Sequence, residues 1–307
     1  MNNYLYISSR KNFREYLEDN FNNIYFIKSN PYQFEIKKII KKIKKENIKQ
    51  VIIEDYFVGI KDFIDVMNHN NVDVKMIWTN GLATLNEEIE LGNLIDVMSL
   101  VESNKIKSIG FTEKNIYLTM QDKKNVHKIS LTINSKDKFN NSFKNVGIIG
   151  ESDNWRSNMY NQLSAIKLLD GYSVNGLCIK RIFRRFCKFF NINFKNYGNK
   201  FTVSNFRNLL KQSDVISCVE FSNYLDFYVM DSFNHGIPCI LGNNVLFFKG
   251  TELEKLVVVK SDDNINEIAE KINYVIKNKK QINKIYENIK KQYDDDCIKA
   301  IEKFIKE

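Results

Sequence analysis

Short apolar runs alternate with longer segments of helical periodicity along most of the chain, and this alternation constrains the fold more than any other feature. Strands buried on both faces read as unbroken apolar runs, whereas helices that cover a sheet carry apolar residues at every third or fourth position. The pattern is therefore typical of an α/β protein with parallel sheets. At about 150 residues per domain, the 307 residues are enough for two such domains.

Predicted strands and helices alternate in both halves of the chain. Strands are predicted in the first half at 4–7, 24–27, 51–53, 74–78 and 106–111, and in the second at 146–150, 173–177, 215–219, 238–241 and 256–259. Helices are predicted near 180–190, 203–212, 226–235 and 264–277, with a helical tail from about 280 to 306. Residues 134–145 lack periodicity and are rich in turn formers, which predicts a linker. We therefore expect a first domain over 1–140, a second over 145–290 and a C-terminal helix over 291–307.

Composition and charge exclude several classes of protein. Lysine and arginine number 46 against 37 acidic residues, a net charge of +9 that attracts phosphate groups. No apolar run reaches the roughly 18 to 20 residues needed to span a bilayer, and the first residues lack a leader pattern, so we expect a cytoplasmic protein. The five cysteines and three histidines lack metal-ligand spacing, which predicts reduced thiols and no metal. No phosphate-loop or Gly-x-Gly-x-x-Gly motif supports ATP hydrolysis or dinucleotide binding.

Two basic segments have apolar residues at helical spacing. Residues 36–45 predict a sheet-packing helix with a lysine-rich outer face, and the alternative is a surface that contacts anionic membrane lipid. Residues 180–190 interleave aromatic and basic side chains, but their spacing favours a core helix with a basic outer face over a nucleic-acid site. That basic face is a candidate for contact with the inner face of a membrane or with an anionic acceptor. The core face of this helix is predicted to comprise Ile182, Phe183, Phe186 and Phe190.

Residues 213–241 read as a strand, a loop, a helix, a glycine stop and a second strand. Gly236 stands where the end of a helix needs a left-handed residue, and Pro238 opens the next strand. If the apolar residues of the helix form its buried face, Asp231 points to a cleft or to solvent. Ligands bind beyond the carboxyl ends of parallel strands, and Glu220 lies at such a position.

This stretch resembles the second domain of the group-1, family 4-like glycosyltransferases. Their signature is a glutamate, seven residues, a second glutamate, a small residue, Gly-x-Pro and an apolar strand. Asp231 matches the second glutamate and is followed by Ser232, Gly236 and Pro238, while Asn223 stands at the first glutamate position. The resemblance implies the GT-B fold, an α/β architecture of two Rossmann-like domains facing a central cleft, with a C-terminal helix crossing back to the first domain.

Two further segments carry the resemblance. Residues 146–158 are similar to the first strand, loop and helix start of the same domain, where Arg156 matches one of two basic residues that hold the donor diphosphate. The free N–H groups at a helix start also favour phosphate, and Ser152, Asp153 and Asn154 are N-cap candidates for that helix.

In the first domain, residues 74–81 resemble a strand and loop that often end in histidine in this family, and Asn80 stands at that position. The loop after the first strand, 8–10, is expected at the same edge of the sheet. We predict Asn80 and Asn223 as catalytic residues, and Arg156, Asp231, Ser152, Glu220 and Ser232 as donor-binding residues.

The resemblance implies a hexosyltransferase-type enzyme whose donor is a nucleotide-diphosphate sugar of the UDP or GDP type and whose acceptor is a glycan, a lipid-linked molecule or a protein. It implies a retaining reaction with neither metal nor cofactor, in which Arg156 neutralises the leaving diphosphate and Asp231 fixes the ribose. No nucleic-acid partner is expected. The departures at Asn223, Asn80 and the second basic position leave an alternative, a catalytically silent GT-B subunit that binds or stabilises a partner glycosyltransferase.

Overall fold

The computed structural model describes residues 4–28, 33–81, 85, 87–135, 137–150, 155–221 and 227–307. The chain forms two units, each with its own parallel sheet. The first comprises the described residues up to Thr132 together with Asp294–Glu307, and the second comprises the described residues of Ile133–Tyr293.

In the first unit, the described residues form a six-stranded sheet of order β2-β1-β3-β4-β5-β6, in which every pairing is parallel. Its strands are Tyr4–Ser8 (β1), Ile24–Phe26 (β2), Gln50–Glu54 (β3), Asp73–Trp78 (β4), Ser108–Phe111 (β5) and Val126–Lys128 (β6). The helices between them are Arg14–Glu18 (α1), Gln33–Glu46 (α2), Ile60–His69 (α3), Glu88–Glu102 (α4) and Lys114–Met120 (α5).

In the second unit, the described residues form a five-stranded parallel sheet of order β11-β10-β7-β8-β9. Its strands are Asn145–Ile149 (β7), Ser173–Leu177 (β8), Phe194–Asn196 (β9), Val215–Cys218 (β10) and Cys239–Leu241 (β11). The helices are Met159–Lys167 (α6), Arg181–Phe189 (α7), Val203–Leu210 (α8), Phe227–Asn234 (α9), Glu252–Val257 (α10), Ile265–Lys277 (α11) and Lys279–Lys306 (α12). The predicted α/β class with two parallel sheets is confirmed.

The differences from the predicted elements lie at the sheet edges and near residue 256. The edge strands β6 and β9 were not predicted, because each has three residues and no fully buried side chain to mark it. The predicted strand at 256–259 is wrong: its first half ends α10, and Val258 makes only an isolated bridge to Leu241.

Two amphipathic helices pack differently from one another. Along α2, Ile39 and Ile43 are buried against the sheet, so the prediction of a sheet-packing helix is confirmed. Along α7, Phe183 is buried, but Ile182 and Phe190 are 56% and 42% exposed. The predicted core face of α7 is therefore wrong at these two positions, because only about a third of the helix surface faces the sheet.

Asparagine ends several helices in this chain. Asn47, Asn71, Asn104 and Asn191 follow α2, α3, α4 and α7 with φ between 50° and 60°. Asparagine tolerates this left-handed conformation better than other residues with a Cβ. Gly236, with φ of 77°, has the same role after α9, as predicted.

The last turns of α12 belong to the first unit, which confirms the predicted return of the C-terminal helix. Lys75 of β4 is 2% exposed, and its Nζ donates to the carbonyl oxygens of Phe304 at 2.6 Å and Ile305 at 3.2 Å. Carbonyls at a helix end lack intrahelical donors, and a cation complements the helix dipole there. Burial lowers the pKa of Lys75. Among the described residues, no helix is long and apolar enough to cross a membrane.

Candidate functional site

The loops that follow β7 and β10 meet at the carboxyl edge of the second sheet. Trp155–Ser157 form a 3-10 turn after β7, and the Phe221 N–H donates to the Arg156 carbonyl oxygen at 2.9 Å. The rings of Trp155 and Phe221 lie 5.9 Å apart, and Trp155 is 62% exposed. Arg156 and Glu220 are both partly exposed. The structure therefore brings the predicted residues Arg156 and Glu220 to one edge of the sheet.

The start of α6 is fixed by Asn158 rather than by the residues predicted to cap it. The helix begins at Met159 after Asn158, which has φ of 48°, so the predicted caps Ser152, Asp153 and Asn154 are wrong. These three residues, and the predicted donor ligand Ser152 among them, lie outside the described residues. Arg156 consequently precedes the helix instead of lying in its first turn.

Buried hydrogen bonds hold this start of α6 against the end of β10. The Asn158 amide donates to the carbonyl oxygens of Val219, at 3.0 Å, and Asp262. The Gln162 Oε1 accepts from the Ser217 hydroxyl at 2.5 Å and from the Val219 N–H at 3.3 Å. Because these side chains are buried, the edge that carries Arg156 has a defined geometry without a ligand.

Close backbone packing also fixes Glu220. A Cβ on Gly242, which follows β11, would lie 2.7 Å from the Glu220 carbonyl oxygen, so a side chain at 242 would displace this loop. The Asn243 N–H donates to Asp262 Oδ1 at 2.7 Å, and burial raises the pKa of Asp262. The polar groups after β10 and β11 are thus held close together.

Asp231 is fully buried, so the expectation that it faces a cleft or solvent is wrong. All residues of α9 are buried, because this helix is covered on every side rather than on one face. Asp231 Oδ2 lies 3.4 Å from Arg207 Nε of α8, and Oδ1 lies 3.5 Å from Nε2 of His235. Ser232 is also buried, and its hydroxyl donates to the Ile237 carbonyl oxygen at 2.6 Å, within the turn that follows the helix.

His235 joins the end of α9 to the segment before β7. Its ring stacks on Phe139 with centroids 4.6 Å apart, and Nδ1 lies 2.7 Å from the carbonyl oxygen of Asp137. His235 is 2% exposed, and these contacts give it a structural role at the end of the helix. Asn223, predicted to be catalytic, lies outside the described residues.

A second polar cluster lies at the carboxyl ends of β1, β3 and β4 in the first unit. Arg10 Nη2 lies 2.7 Å from Asp55 Oδ2 and donates to Asn80 Oδ1 at 3.1 Å. The Asn80 amide in turn donates to Glu90 Oε2 at 3.2 Å. The predicted residue Asn80 and the loop after β1 therefore do meet, as expected for neighbouring parallel strands.

Glu54 and Asp55 form the acidic centre of this cluster and were missed by sequence reasoning. The N–H and hydroxyl of Thr79 donate to Asp55 at 2.7 and 2.5 Å, and the Ser8 hydroxyl donates to Glu54. Burial raises the pKa of Glu54 to about 7, the Arg10 charge opposes this shift and the Asp55 charge adds to it. The sequence shows only an acidic pair at the end of an apolar strand, a pattern that ordinary polar turns share.

The edge of the first sheet carries carboxyl and amide groups around Asn80, whereas the edge of the second sheet carries Arg156 and Glu220. Burial raises the pKa of Glu90, whose carboxylate accepts from the Asn80 amide. Carboxyl and amide groups of this kind accept and donate hydrogen bonds to hydroxyl groups. Among the described residues there is no group of three or more His, Cys, Asp or Glu side chains that could hold a metal ion.

Two Rossmann-like units with parallel sheets, followed by a C-terminal helix that returns to the first, define the class as the GT-B fold. The structure of a TarM variant from S. aureus, in complex with UDP, matches with a TM-score of 0.66 and 14% identity over 89% of this chain. This chain spans 58% of the length of TarM.

Anabaena HepE, in complex with UDP and glucose, matches over 100% of this chain and 98% of its own, with a TM-score of 0.64 and 10% identity. A glycosyltransferase from Rickettsia africae matches with a TM-score of 0.62 and 12% identity, over 98% of this chain and 86% of its own. No protein-family model and no curated protein sequence matches the chain. The similarity therefore establishes the fold.

Proposed function

We propose that this protein is a glycosyltransferase that moves a sugar from a nucleotide-diphosphate sugar to a hydroxyl group of an acceptor. The observation that carries the proposal is the edge formed by Arg156 and Glu220, in a fold shared with proteins whose structures hold UDP. A nucleotide of the UDP or GDP type fits this edge, because Arg156 supplies a cation next to the start of α6.

In the proposed mechanism, Arg156 stabilises the negative charge that develops on the leaving diphosphate. Electrostatic stabilisation of this kind is a large contribution to catalysis and proceeds without a metal. Asp231 binds the ribose hydroxyls as the resemblance implies, and because it is buried, ribose binding requires Arg207 or His235 to move away from it. The reaction is proposed to retain the anomeric configuration.

The first unit is proposed to bind the acceptor. Glu54, Asp55 and Glu90 lie beside Asn80 with one cation, Arg10, among them. Carboxyl groups orient hydroxyl groups through hydrogen bonds and repel anions. We therefore propose that the hydroxyl-bearing acceptor carries no charge near the reacting group.

Calorimetric titration of the full chain with UDP, GDP and pyrophosphate tests the donor site. Arg156→Gln should weaken binding of nucleotide and pyrophosphate alike by about 10- to 100-fold, the value of a charge-assisted hydrogen bond. Lys167→Gln, at the exposed far end of α6, is the matched control and should leave binding unchanged.

Asp231→Asn distinguishes ribose binding from a purely structural role. If Asp231 contacts ribose, the variant loses affinity for the nucleotide and keeps its affinity for pyrophosphate. If wild type binds no nucleotide, the donor-site proposal fails, and the alternative of a silent GT-B subunit replaces it. Where binding is found, turnover in the presence of EDTA and the product's anomeric configuration test metal independence and retention.

A further inference from the structure

The outer face of α7 combines uncompensated positive charge with exposed apolar side chains. Its four cations, all exposed, are Arg181, Arg184, Arg185 and Lys188, and residues 180–190 contain no acidic residue. Within the part of the chain that the structure describes, these four side chains form no ion pair. Elsewhere on the surface, by contrast, lysine and arginine pair repeatedly with acids one turn away, as Arg14 does with Glu18 at 2.7 Å.

Large apolar side chains lie beside these cations. Phe189 is 80% exposed and Ile182 is 56% exposed. An aromatic ridge continues from Phe189 to Phe190, Phe186 and Tyr160 of α6, with ring centroids 5.0, 4.5 and 5.2 Å apart in that order. A contiguous exposed apolar surface of this kind marks an interaction site more often than scattered apolar residues do.

Helical geometry places the charged and apolar groups on one outward arc. At about 100° per residue, Ile182 and Phe189 lie about 20° apart. Arg185, Arg181, Lys188 and Arg184 follow within about the next 140°. The surface is thus a basic stripe with an apolar edge, on the exposed side of α7.

We propose that this face of α7 docks the protein on a membrane surface rich in anionic lipid. Such a surface attracts cations to its headgroups and admits aromatic and aliphatic side chains to the acyl boundary, which matches both halves of the arc. A symmetric contact with the same face of a second copy does not fit, because its four cations would oppose these four. A single-stranded nucleic acid is favoured less, since it binds in grooves where aromatic side chains stack on bases, and Ile182 adds nothing to stacking.

The lysine-rich helix α2 provides the matched comparison. Its described side chains carry exposed lysines such as Lys44 and Lys45, but no large apolar side chain as exposed as those of α7. If charge alone caused membrane binding, both helices would contribute. If charge and apolar insertion act together, only α7 does.

Vesicle flotation of the full chain tests the proposal without reference to any enzymatic activity. We expect binding to vesicles containing phosphatidylglycerol and none to pure phosphatidylcholine. Each arginine near an anionic surface is worth about fivefold in affinity, so Arg184→Gln/Arg185→Gln should weaken binding about 25-fold. Phe189→Ser should also weaken it, whereas the control Lys44→Gln/Lys45→Gln should not.

A Phe189→Trp variant supplies a second readout, because brominated acyl chains quench a tryptophan that enters the bilayer. Quenching beyond that of wild type supports insertion at Phe189. Equal losses in the α7 and α2 double variants, or no added quenching, would overturn the proposal. So would binding of a labelled single-stranded oligonucleotide that the Arg184→Gln/Arg185→Gln change abolishes while vesicles stay unbound. Nucleotide binding measured in parallel keeps failure here separate from failure of the donor site.

Discussion

Replacing Glu54 with glutamine should remove one defined contribution to the pH dependence of the first unit's stability. The Glu54 side chain is 1% exposed, and burial raises its pKa from 4.5 to about 7. A carboxyl group whose pKa is higher in the folded than in the unfolded chain binds its proton more tightly when folded. Its contribution to stability is therefore greatest below pH 4.5 and is lost as the pH rises through 7.

The size of the effect follows from the two pKa values. Each pKa unit corresponds to about 1.4 kcal/mol, and integration between pH 5 and pH 8 gives a loss of about 2.5 kcal/mol from this one group. Glutamine has the shape of the protonated acid and cannot ionise. Glu54→Gln should therefore match wild type near pH 5 and exceed its unfolding free energy by about 2.5 kcal/mol at pH 8.

Urea unfolding at the two pH values measures this difference. The chain has two tryptophans, so a Trp155→Phe background leaves Trp78, next to the cluster on β4, as the reporter of the first unit. The control is Glu18→Gln, which removes an exposed carboxylate paired with Arg14. It should leave the change in unfolding free energy between pH 5 and pH 8 as it is in the reference. Identical pH slopes for Glu54→Gln and its reference would refute the reasoning, because they would show that Glu54 does not retain its proton in the folded chain.

Three further substitutions test other parts of the structure. Lys75→Met removes the Lys75 hydrogen bonds to the carbonyls of Phe304 and Ile305, of which Ile305 keeps the Gln50 amide as donor, and should destabilise the end of α12 by about 1–3 kcal/mol; hydrogen exchange of residues 294–306 measures it, with the exposed Lys299→Met as control. Asn158→Ala removes two buried hydrogen bonds and places alanine at φ of 48°, so the unfolding free energy should fall by about 2–3 kcal/mol. Asn71→Ala should lower it by about 1 kcal/mol, whereas Asn71→Gly should leave it unchanged, and equal effects of the two would contradict the conformational explanation.

The fold could be predicted because most strands of both sheets are unbroken apolar runs in the sequence. In β3 and β10, nearly every side chain is buried on both faces of the sheet, so the run is unbroken and easily found. The edge strands β6 and β9 lack this property, since each is short and half exposed. Sequence patterns detect a strand through its buried apolar side chains, so strands with few buried side chains are missed.

The candidate site was predicted less completely, because its residues come together only through the order of the strands in the sheet, which the sequence does not state. Arg10, Asp55 and Asn80 are far apart in sequence and meet only because β1, β3 and β4 are adjacent in the sheet. An acidic pair such as Glu54 and Asp55 at the end of a strand is indistinguishable in sequence from an ordinary polar turn. For Asp231, the one-sided helix that the prediction assumed does not exist, since α9 is covered all round.

The two sheet edges that carry the candidate residues have opposite electrostatic character. This difference supports the proposal that the second unit binds the donor and the first unit binds the acceptor. In the second unit Arg156 lies next to the start of a helix, where a positive charge and the helix dipole both favour a diphosphate. In the first unit Arg10 lies against the carboxyl groups of Glu54 and Asp55, and Asn80 links it to Glu90. The pKa values of Glu54 and Glu90 are raised. A diphosphate would meet repulsion there, whereas a hydroxyl group can donate to carboxylate oxygens. The charge distribution of the two edges is therefore what the proposal requires, with the anionic donor in the second unit and an uncharged acceptor in the first.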